Sequence, residues 1–128
     1  MLKKLANLHQ KCFPNKPWSE QDFADLQKSG CEIIMSENGF IVYRIAVDEA
    51  EIITIGVNPE LRRQGIATAM LGIIEKTIKN QGVNKIFLEV AANNIAGQKL
   101  YENCGFKVVG SRPKYYDGVD AILMSKDI

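Results

Sequence analysis

The segment from Val57 to Thr68 constrains the fold more than any other part of the chain. Its residues predict that a strand ends, a basic turn follows and a helix begins at Gly65. Ile and Val dominate the residues before it, whereas apolar residues after Gly65 recur with helical spacing as far as Ile78. The first N–H groups of a helix lack internal acceptors and carry the positive end of its dipole. Arg62 and Arg63 add positive charge at that end, where helix electrostatics alone favours acids. The junction therefore predicts an anion-binding turn, although a glycine turn with two solvated arginines has the same spacing.

Local signals along the rest of the chain predict a mixed α/β sheet with helices on its faces. Helices are predicted over Leu2 to Cys12, from the N-cap Ser19 to about Lys28, from Gly65 to Ile78, and over Ile95 to Asn103 behind a cap at Asn93 or Asn94. Strands are predicted over Glu32 to Met35, Phe40 to Val47, Ala50 to Val57, Val83 to Ala91, Phe106 to Ser111 and Val119 to Ser125. The last two form a hairpin across a loop from Pro113 to Gly118. The apolar run from Ile86 to Leu88 indicates a central strand buried on both faces.

Length and composition favour a single domain over residues 1–128 and exclude several functional classes. A net charge of +1 does not provide the broad positive face that nonspecific nucleic-acid binding requires. The longest nearly apolar run, Ile66 to Ile74, is far short of the ~20 residues of a membrane span. Three widely spaced cysteines (Cys12, Cys31 and Cys104) predict free thiols in a reducing compartment. With His9 as the only histidine, metal sites and a Ser-His-Asp triad are disfavoured, and we expect no metal.

The turn also matches the signature of a known superfamily. Neither G-x-x-x-x-G-K-[ST] nor a G-x-G-x-x-G after a strand is present, so nucleoside-triphosphatase and Rossmann folds lack support. Arg62 to Ala67 instead resembles the [QR]-x-x-G-x-[GA] signature of the GNAT acyl-CoA N-acyltransferases, which binds the pyrophosphate of acetyl-CoA. The resemblance implies that the pantetheine arm of acetyl-CoA lies along Ile55, Gly56 and Val57. It further implies that Arg62, Arg63, Gln64, Gly65, Ile66, Ala67 and Thr68 contact the cofactor near its phosphates.

Two residues are candidates for moving protons during acyl transfer. Glu89 is the only charged residue in an otherwise buried stretch from Ile86 to Ala92, and burial would tune it as a general base. The alternative is that Glu89 points outward from a half-buried strand. Tyr101 lies in a segment that resembles the N-x-x-A-x-x-x-Y-x-x-x-G-F helix of the superfamily, which implies a general acid facing the CoA sulfur. The alternative is a core tyrosine. By the same likeness Asn94 contacts the cofactor, and the Val57 N–H acts as the oxyanion donor.

Further motifs are similar to the RimI type, the bacterial ribosomal-protein alanine N-acetyltransferases. They are the Phe13 to Ser19 turn, Glu89-Val90 with Asn94, and the tyrosine pair before the Asp120 to Met124 segment. This similarity implies that Trp18, Tyr115 and Tyr116 flank a substrate peptide, although a buried tryptophan and an aromatic hairpin are equally compatible with the residues. The chain begins directly with a helical segment, so we expect a GNAT fold that lacks the usual first edge strand.

The resulting hypothesis is a cytoplasmic enzyme that transfers acetyl directly from acetyl-CoA to a protein N-terminal α-amine. The expected acceptor is the N-terminus of a ribosomal protein. The enzyme is expected to be a monomer or weak dimer that contacts neither nucleic acid nor membrane. One alternative within the superfamily is acetylation of a lysine or a small amine. An alternative of another class is a module that binds CoA or docks a partner without catalysis.

Overall fold

A computed structural model describes residues 1–116 and 118–128, and the side chains of Tyr115 and Tyr116 also lie outside this description. The α-helices in the described residues are α1 (Leu2–Cys12), α2 (Glu20–Lys28), α3 (Ile66–Lys79) and α4 (Ile95–Asn103). The strands are β1 (Glu32–Met35), β2 (Gly39–Ala46), β3 (Glu49–Val57), β4 (Lys85–Ala91), β5 (Lys107–Tyr116) and β6 (Val119–Asp127). A short 3-10 helix, Pro59–Leu61, precedes α3.

The strands form one mixed sheet in the order β1-β2-β3-β4-β6-β5. The parallel ladder between β3 and β4 runs from Glu49 opposite Lys85 to Glu51 opposite Phe87. The ladders of β1 with β2, of β4 with β6 and of β5 with β6 are antiparallel. The predicted order of helices and strands is confirmed. α1 is the first helix in this order, and the short β1 forms one edge of the sheet.

The chain divides into two compact units, of which the first comprises residues Met1–Arg44 and Ile53–Ile73. The predicted start of α2 is confirmed by a reciprocal cap. The Asp22 N–H donates to the Ser19 hydroxyl (3.1 Å), and the Ser19 N–H donates to the Asp22 carboxylate (2.8 Å). The core of this unit is built from buried side chains of α1, α2, β2 and the residue before β1: Leu5, Leu8, Phe23, Cys31, Phe40 and Val42.

The second unit comprises residues Ile45–Ile52 and Ile74–Ile128. Its strand β4 is central, as predicted, but the predicted burial on both faces is wrong. Ile86, Leu88 and Val90 are buried, whereas Phe87 and Glu89 on the other face are only half-buried. Alternate side chains of a strand point to opposite faces, so β4 has one fully covered face and one partly open face.

The predicted loop from Pro113 to Gly118 is wrong over Pro113 to Tyr116, where β5 continues. Gly118 lies in a turn, as predicted, and Asp117 lies outside the described residues. Proline lacks the N–H that a central ladder needs, but β5 is the last strand of the sheet and needs ladder partners on one side only. An edge strand therefore tolerates a residue that the sequence pattern marks as a turn.

Candidate active site

The end of β3 is packed so closely in the first unit that only glycine fits at position 56. A Cβ on Gly56 would lie 2.7 Å from the Phe40 ring and 3.0 Å from the Cys12 sulfur. Phe40 is fully buried, so a Cβ at this position would require its ring or the backbone to shift. Internal packing therefore requires a small residue at Gly56, the position that the sequence resemblance assigns to the pantetheine arm.

The carbonyl of Val57 receives two hydrogen bonds. The Cys12 thiol and the Arg62 Nε–H each donate to it at 3.3 Å. Burial raises the pKa of Cys12, and the nearby Arg62 opposes this rise in part, so the thiol keeps the proton that it donates. Sequence reasoning missed the Cys12 contact, since 45 residues separate it from Val57 and no local pattern connects them. Arg62 was predicted only as an anion ligand, yet its Nε–H holds the end of the strand.

The turn after Val57 has a backbone suited to an anion. The Asn58 side chain caps the 3-10 helix by accepting the Glu60 N–H at 3.1 Å. Arg63 (φ 65°) and Gly65 (φ 76°) both have left-handed backbone conformations immediately before α3. Alternation of left- and right-handed residues turns successive N–H groups toward one side and forms an anion-binding concavity.

The start of α3 adds a second contribution in the same place. Its first turn carries no acidic residue, and Arg62 to Gly65 are exposed. A Cβ on Gly65 would meet no atom within 4 Å, so solvent reaches the backbone there. The structure therefore places Arg62, Arg63, Gln64, Gly65, Ile66, Ala67 and Thr68 at an open, basic helix start, a type of helix end that can bind an anion.

In the second unit, the carboxylate of Glu89 forms an ion pair. Arg112 Nη2 lies 3.0 Å from Glu89 Oε1, and the Glu89 side chain is 19% exposed, against 55% for Arg112. Glu89 thus lies on the half-covered face of β4 but faces a positive charge from β5. Arg112 is a residue of this site that the sequence did not reveal, because it lies 23 positions away on a strand that is not adjacent to β4.

Tyr101 lies on α4 with only 8% of its surface exposed. Its ring meets that of Phe106 edge-to-face at 6.0 Å. Its carbonyl accepts the N–H groups of Cys104 and Phe106 and so helps to end the helix. The tyrosine thus packs in the core of its unit, and its role as an acid stays a prediction.

Two side-chain amides fix the start of α4, and one of them, that of Gln98, bonds to the end of β4. Asn94 caps α4 by accepting the Gly97 N–H at 2.9 Å, as predicted for one of two asparagines. That bond uses Oδ1, so the amide N–H₂ is the group that Asn94 can offer to a ligand. Gln98, which the sequence analysis did not single out, donates to the carbonyls of Ala91 (3.2 Å) and Ala92 (2.9 Å).

Trp18 belongs to an aromatic cluster in the first unit. Its ring stacks on His9 with ring centroids 4.7 Å apart, and its backbone N–H donates to His9 Nδ1 at 3.1 Å. Phe13, Phe23 and Phe40 also surround the imidazole. His9 is 2% exposed, and burial lowers its pKa to about 4, with Asp22 opposing the shift. Trp18 is half-buried, and the side chains of Tyr115 and Tyr116 lie outside the described residues.

Other features of the described residues bear on the chemistry. All three cysteines are free, as predicted. Within residues 1–116 and 118–128, no group of three His, Cys, Asp or Glu side chains is placed to hold a metal ion. None of the helices in the same ranges is both long enough and apolar enough to span a membrane.

Sequence and structure relate this chain to known proteins. The model of the acetyltransferase (GNAT) family matches residues 2–106. The chain therefore belongs to the GNAT acetyltransferase family, and the predicted fold is confirmed. A [ribosomal protein bS18]-alanine N-acetyltransferase of Escherichia coli strain K12 is 36% identical over 121 residues, which cover 88% of this chain and 82% of that protein.

Solved structures agree with this assignment. The crystal structure of the ribosomal-protein alanine N-acetyltransferase from Escherichia coli matches with a TM-score of 0.88 and 32% identity, over 99% of this chain and 87% of that one. A GNAT family acetyltransferase from Elizabethkingia anophelis, solved with acetyl-CoA bound, shares the fold with a TM-score of 0.78 at 18% identity, over 95% of this chain and 89% of that one.

Proposed function

We propose that this chain transfers the acetyl group of acetyl-CoA directly to the α-amine of a protein N-terminus, an alanine of a ribosomal protein. The observation that carries the proposal is the basic, open start of α3, which follows β3 and the short 3-10 helix, in a chain of the acetyltransferase family. The acceptor is supported by the 36% identity to the bS18-alanine enzyme. The general proposal is therefore a protein substrate, and the specific proposal is the N-terminus of a ribosomal protein.

The first unit supplies the proposed cofactor site. The turn suits a diphosphate because Arg63 and Gly65 have left-handed backbone conformations and the first turn of α3 contains no acidic residue. The residues of this unit assigned to the cofactor are Ile55, Gly56, Val57, Arg62, Arg63, Gln64, Gly65, Ile66, Ala67 and Thr68. The sequence likeness also assigns Asn94 and Tyr101 to the cofactor. Bound acetyl-CoA supplies an activated acyl group on a thiol leaving group.

The proton transfers are assigned to two side chains of the second unit. A protein α-ammonium has a reference pKa of about 7.7–8.0, whereas that of a lysine is about 10.4, so the α-amine loses its proton at far lower cost. Glu89 accepts that proton, and Tyr101 gives a proton to the departing thiolate. The N–C bond forms as the C–S bond breaks, and the Val57 N–H polarises the acetyl carbonyl. Trp18, Tyr115 and Tyr116 flank the acceptor peptide.

The test compares two acceptor peptides and four variants. One peptide has a free N-terminal alanine and no lysine, and the other has a blocked N-terminus and one internal lysine. Glu89→Gln and Tyr101→Phe are expected to lower kcat by about 10²- to 10⁴-fold. Their affinity for acetyl-CoA by calorimetry should remain within about twofold of the parent value, since neither change removes a phosphate contact. Glu102→Gln and Tyr43→Phe are the matched controls and should behave as the parent chain.

Each outcome separates the alternatives. Acetylation of the lysine peptide alone would contradict the N-terminal acceptor and favour a lysine or small-amine enzyme. Binding of acetyl-CoA without turnover of either peptide would favour the non-catalytic module. Absence of any calorimetric signal would remove the cofactor site itself.

We further infer that residues 1–128 act as one acetyltransferase domain in the cytoplasm, as a monomer or weak dimer without direct nucleic-acid contact. Three free cysteines support the reducing compartment, and the net charge of +1 argues against nucleic-acid binding. Sedimentation at micromolar concentration tests the assembly state, and a stable tetramer would contradict it.

A further inference from the structure

The carboxylate proposed as the base is held by a residue from a strand that is not its neighbour in the sheet. β6 lies between β4, which carries Glu89, and β5, which carries Arg112. Arg112 Nη2 reaches Glu89 Oε1 at 3.0 Å across the intervening strand. The Glu89 side chain is 19% exposed and that of Arg112 is 55% exposed, so the carboxylate end of the pair is the end shielded from water.

The strand register explains why Arg112 is on the same face as Glu89. Arg112 lies opposite Ala121, which in turn lies opposite Ala91. Residues opposite one another share a face of the sheet, and so do residues two positions apart in a strand. Arg112 therefore shares a face with Ala91 and with Glu89.

A β-bulge sets this register. Val108 lies opposite Met124 and Gly110 lies opposite Leu123, so Val109 is an extra residue in β5. In a regular ladder continued from Val108, Ser111 would lie opposite Ala121 and Arg112 would face the other side. Bulges re-aim side chains in this manner and often lie beside active sites.

We propose that Arg112 is a positioning residue for acetyl transfer, acting through the carboxylate of Glu89. A charge-assisted bond to Oε1 fixes the rotamer of Glu89 and leaves Oε2 as the oxygen that accepts the proton of the amine. Arg112 itself transfers no proton and touches no substrate. This inference rests on the proposed function, in which Glu89 is the base.

The experiment is a double-variant cycle measured with the N-terminal alanine peptide. Arg112→Met is expected to lower kcat by about 10- to 100-fold, because small misplacements of a reacting group are that costly, and to leave KM for acetyl-CoA within about twofold. Arg112→Lys keeps the charge without the planar guanidinium, so its kcat should be intermediate. In a Glu89→Gln background, Arg112→Met should cause no further loss of kcat, since the carboxylate through which Arg112 is proposed to act is gone.

Lys107→Met is the matched control, because it removes a cation from the same strand opposite Ser125. A merely structural Arg112 would lower the melting temperature and leave kcat unchanged in Arg112→Met and Arg112→Lys alike. Equal kcat for Arg112→Met, Lys107→Met and an active parent chain would overturn the inference while the proposed function stands. A further loss of kcat in the Glu89→Gln background would likewise overturn it. A parent chain that acetylates no peptide would refute the proposed function and this inference with it.

Discussion

Acidification should destabilise this protein through one imidazole. His9 is the only histidine, and its pKa is lowered from 6.5 to about 4 in the folded chain, first because the ring is buried. The folded state therefore binds fewer protons than the unfolded state between these two pH values, so stability falls as pH drops below 6.5. From pH 7.5 to 5.0 the expected loss in the free energy of unfolding is about 2 kcal/mol, and the full shift corresponds to about 3 kcal/mol.

Urea unfolding at a series of pH values between 7.5 and 5.0 measures this loss. His9→Asn keeps an acceptor near the position of Nδ1, which receives the Trp18 N–H, but it removes the titration. We expect the variant to be less stable at pH 7.5 and nearly independent of pH over this range. The ring proton signal of the single histidine gives the folded pKa directly by NMR. A midpoint near 6.5 in the folded protein, or equal slopes for parent and variant, would refute the reasoning.

The other predictions concern backbone strain and close packing. Arg63→Gly should stabilise the fold by about 0.5–1 kcal/mol by relieving a left-handed arginine. If Arg63 contacts the phosphates as proposed, the same change should weaken acetyl-CoA binding about tenfold. Val47→Gly should bring a similar gain in stability, because Val47 is left-handed and 95% exposed, without any change in affinity. Gly56→Ala should cost about 1–3 kcal/mol, because its Cβ would press on the buried Phe40 ring. Gly72→Ala, whose Cβ meets open space within α3, should instead stabilise by about 0.5–1 kcal/mol.

Urea unfolding and calorimetry with acetyl-CoA check all four variants. Unchanged affinity in Arg63→Gly would contradict the phosphate role of that side chain. Reduced affinity in Val47→Gly would indicate that strain relief alone alters binding. A stable Gly56→Ala protein would show that the Phe40 ring has room to move.

Sequence reasoning succeeded where structure depends on neighbours in the chain. The Ser19 and Asn94 caps bond to N–H groups three residues ahead, so their signals lie within one helical turn. The positions of the helices and strands follow from apolar spacing in the same local manner.

Sequence reasoning failed where a contact depends on pairing between strands or on packing between distant segments. The Arg112 to Glu89 ion pair requires knowledge of the bulge at Val109, and no local pattern gives that register. The bond from Cys12 to the Val57 carbonyl joins segments far apart in sequence. The sequence pattern predicts a loop at Pro113, because proline is disfavoured in a central strand. Its presence in β5 is explained by the edge position of that strand, which only the sheet order reveals.

The unmatched Val109 has a consequence for engineering and for natural variation of the β5–β6 hairpin. Gaining or losing one codon between Val108 and Arg112 would exchange inward and outward positions for every side chain on one side of the change. Grafts that alter this stretch by two residues preserve that parity, and those that alter it by one do not. The extra residue therefore sets the register of the hairpin. A donor hairpin is compatible only if its side chains alternate between the two faces in the same register.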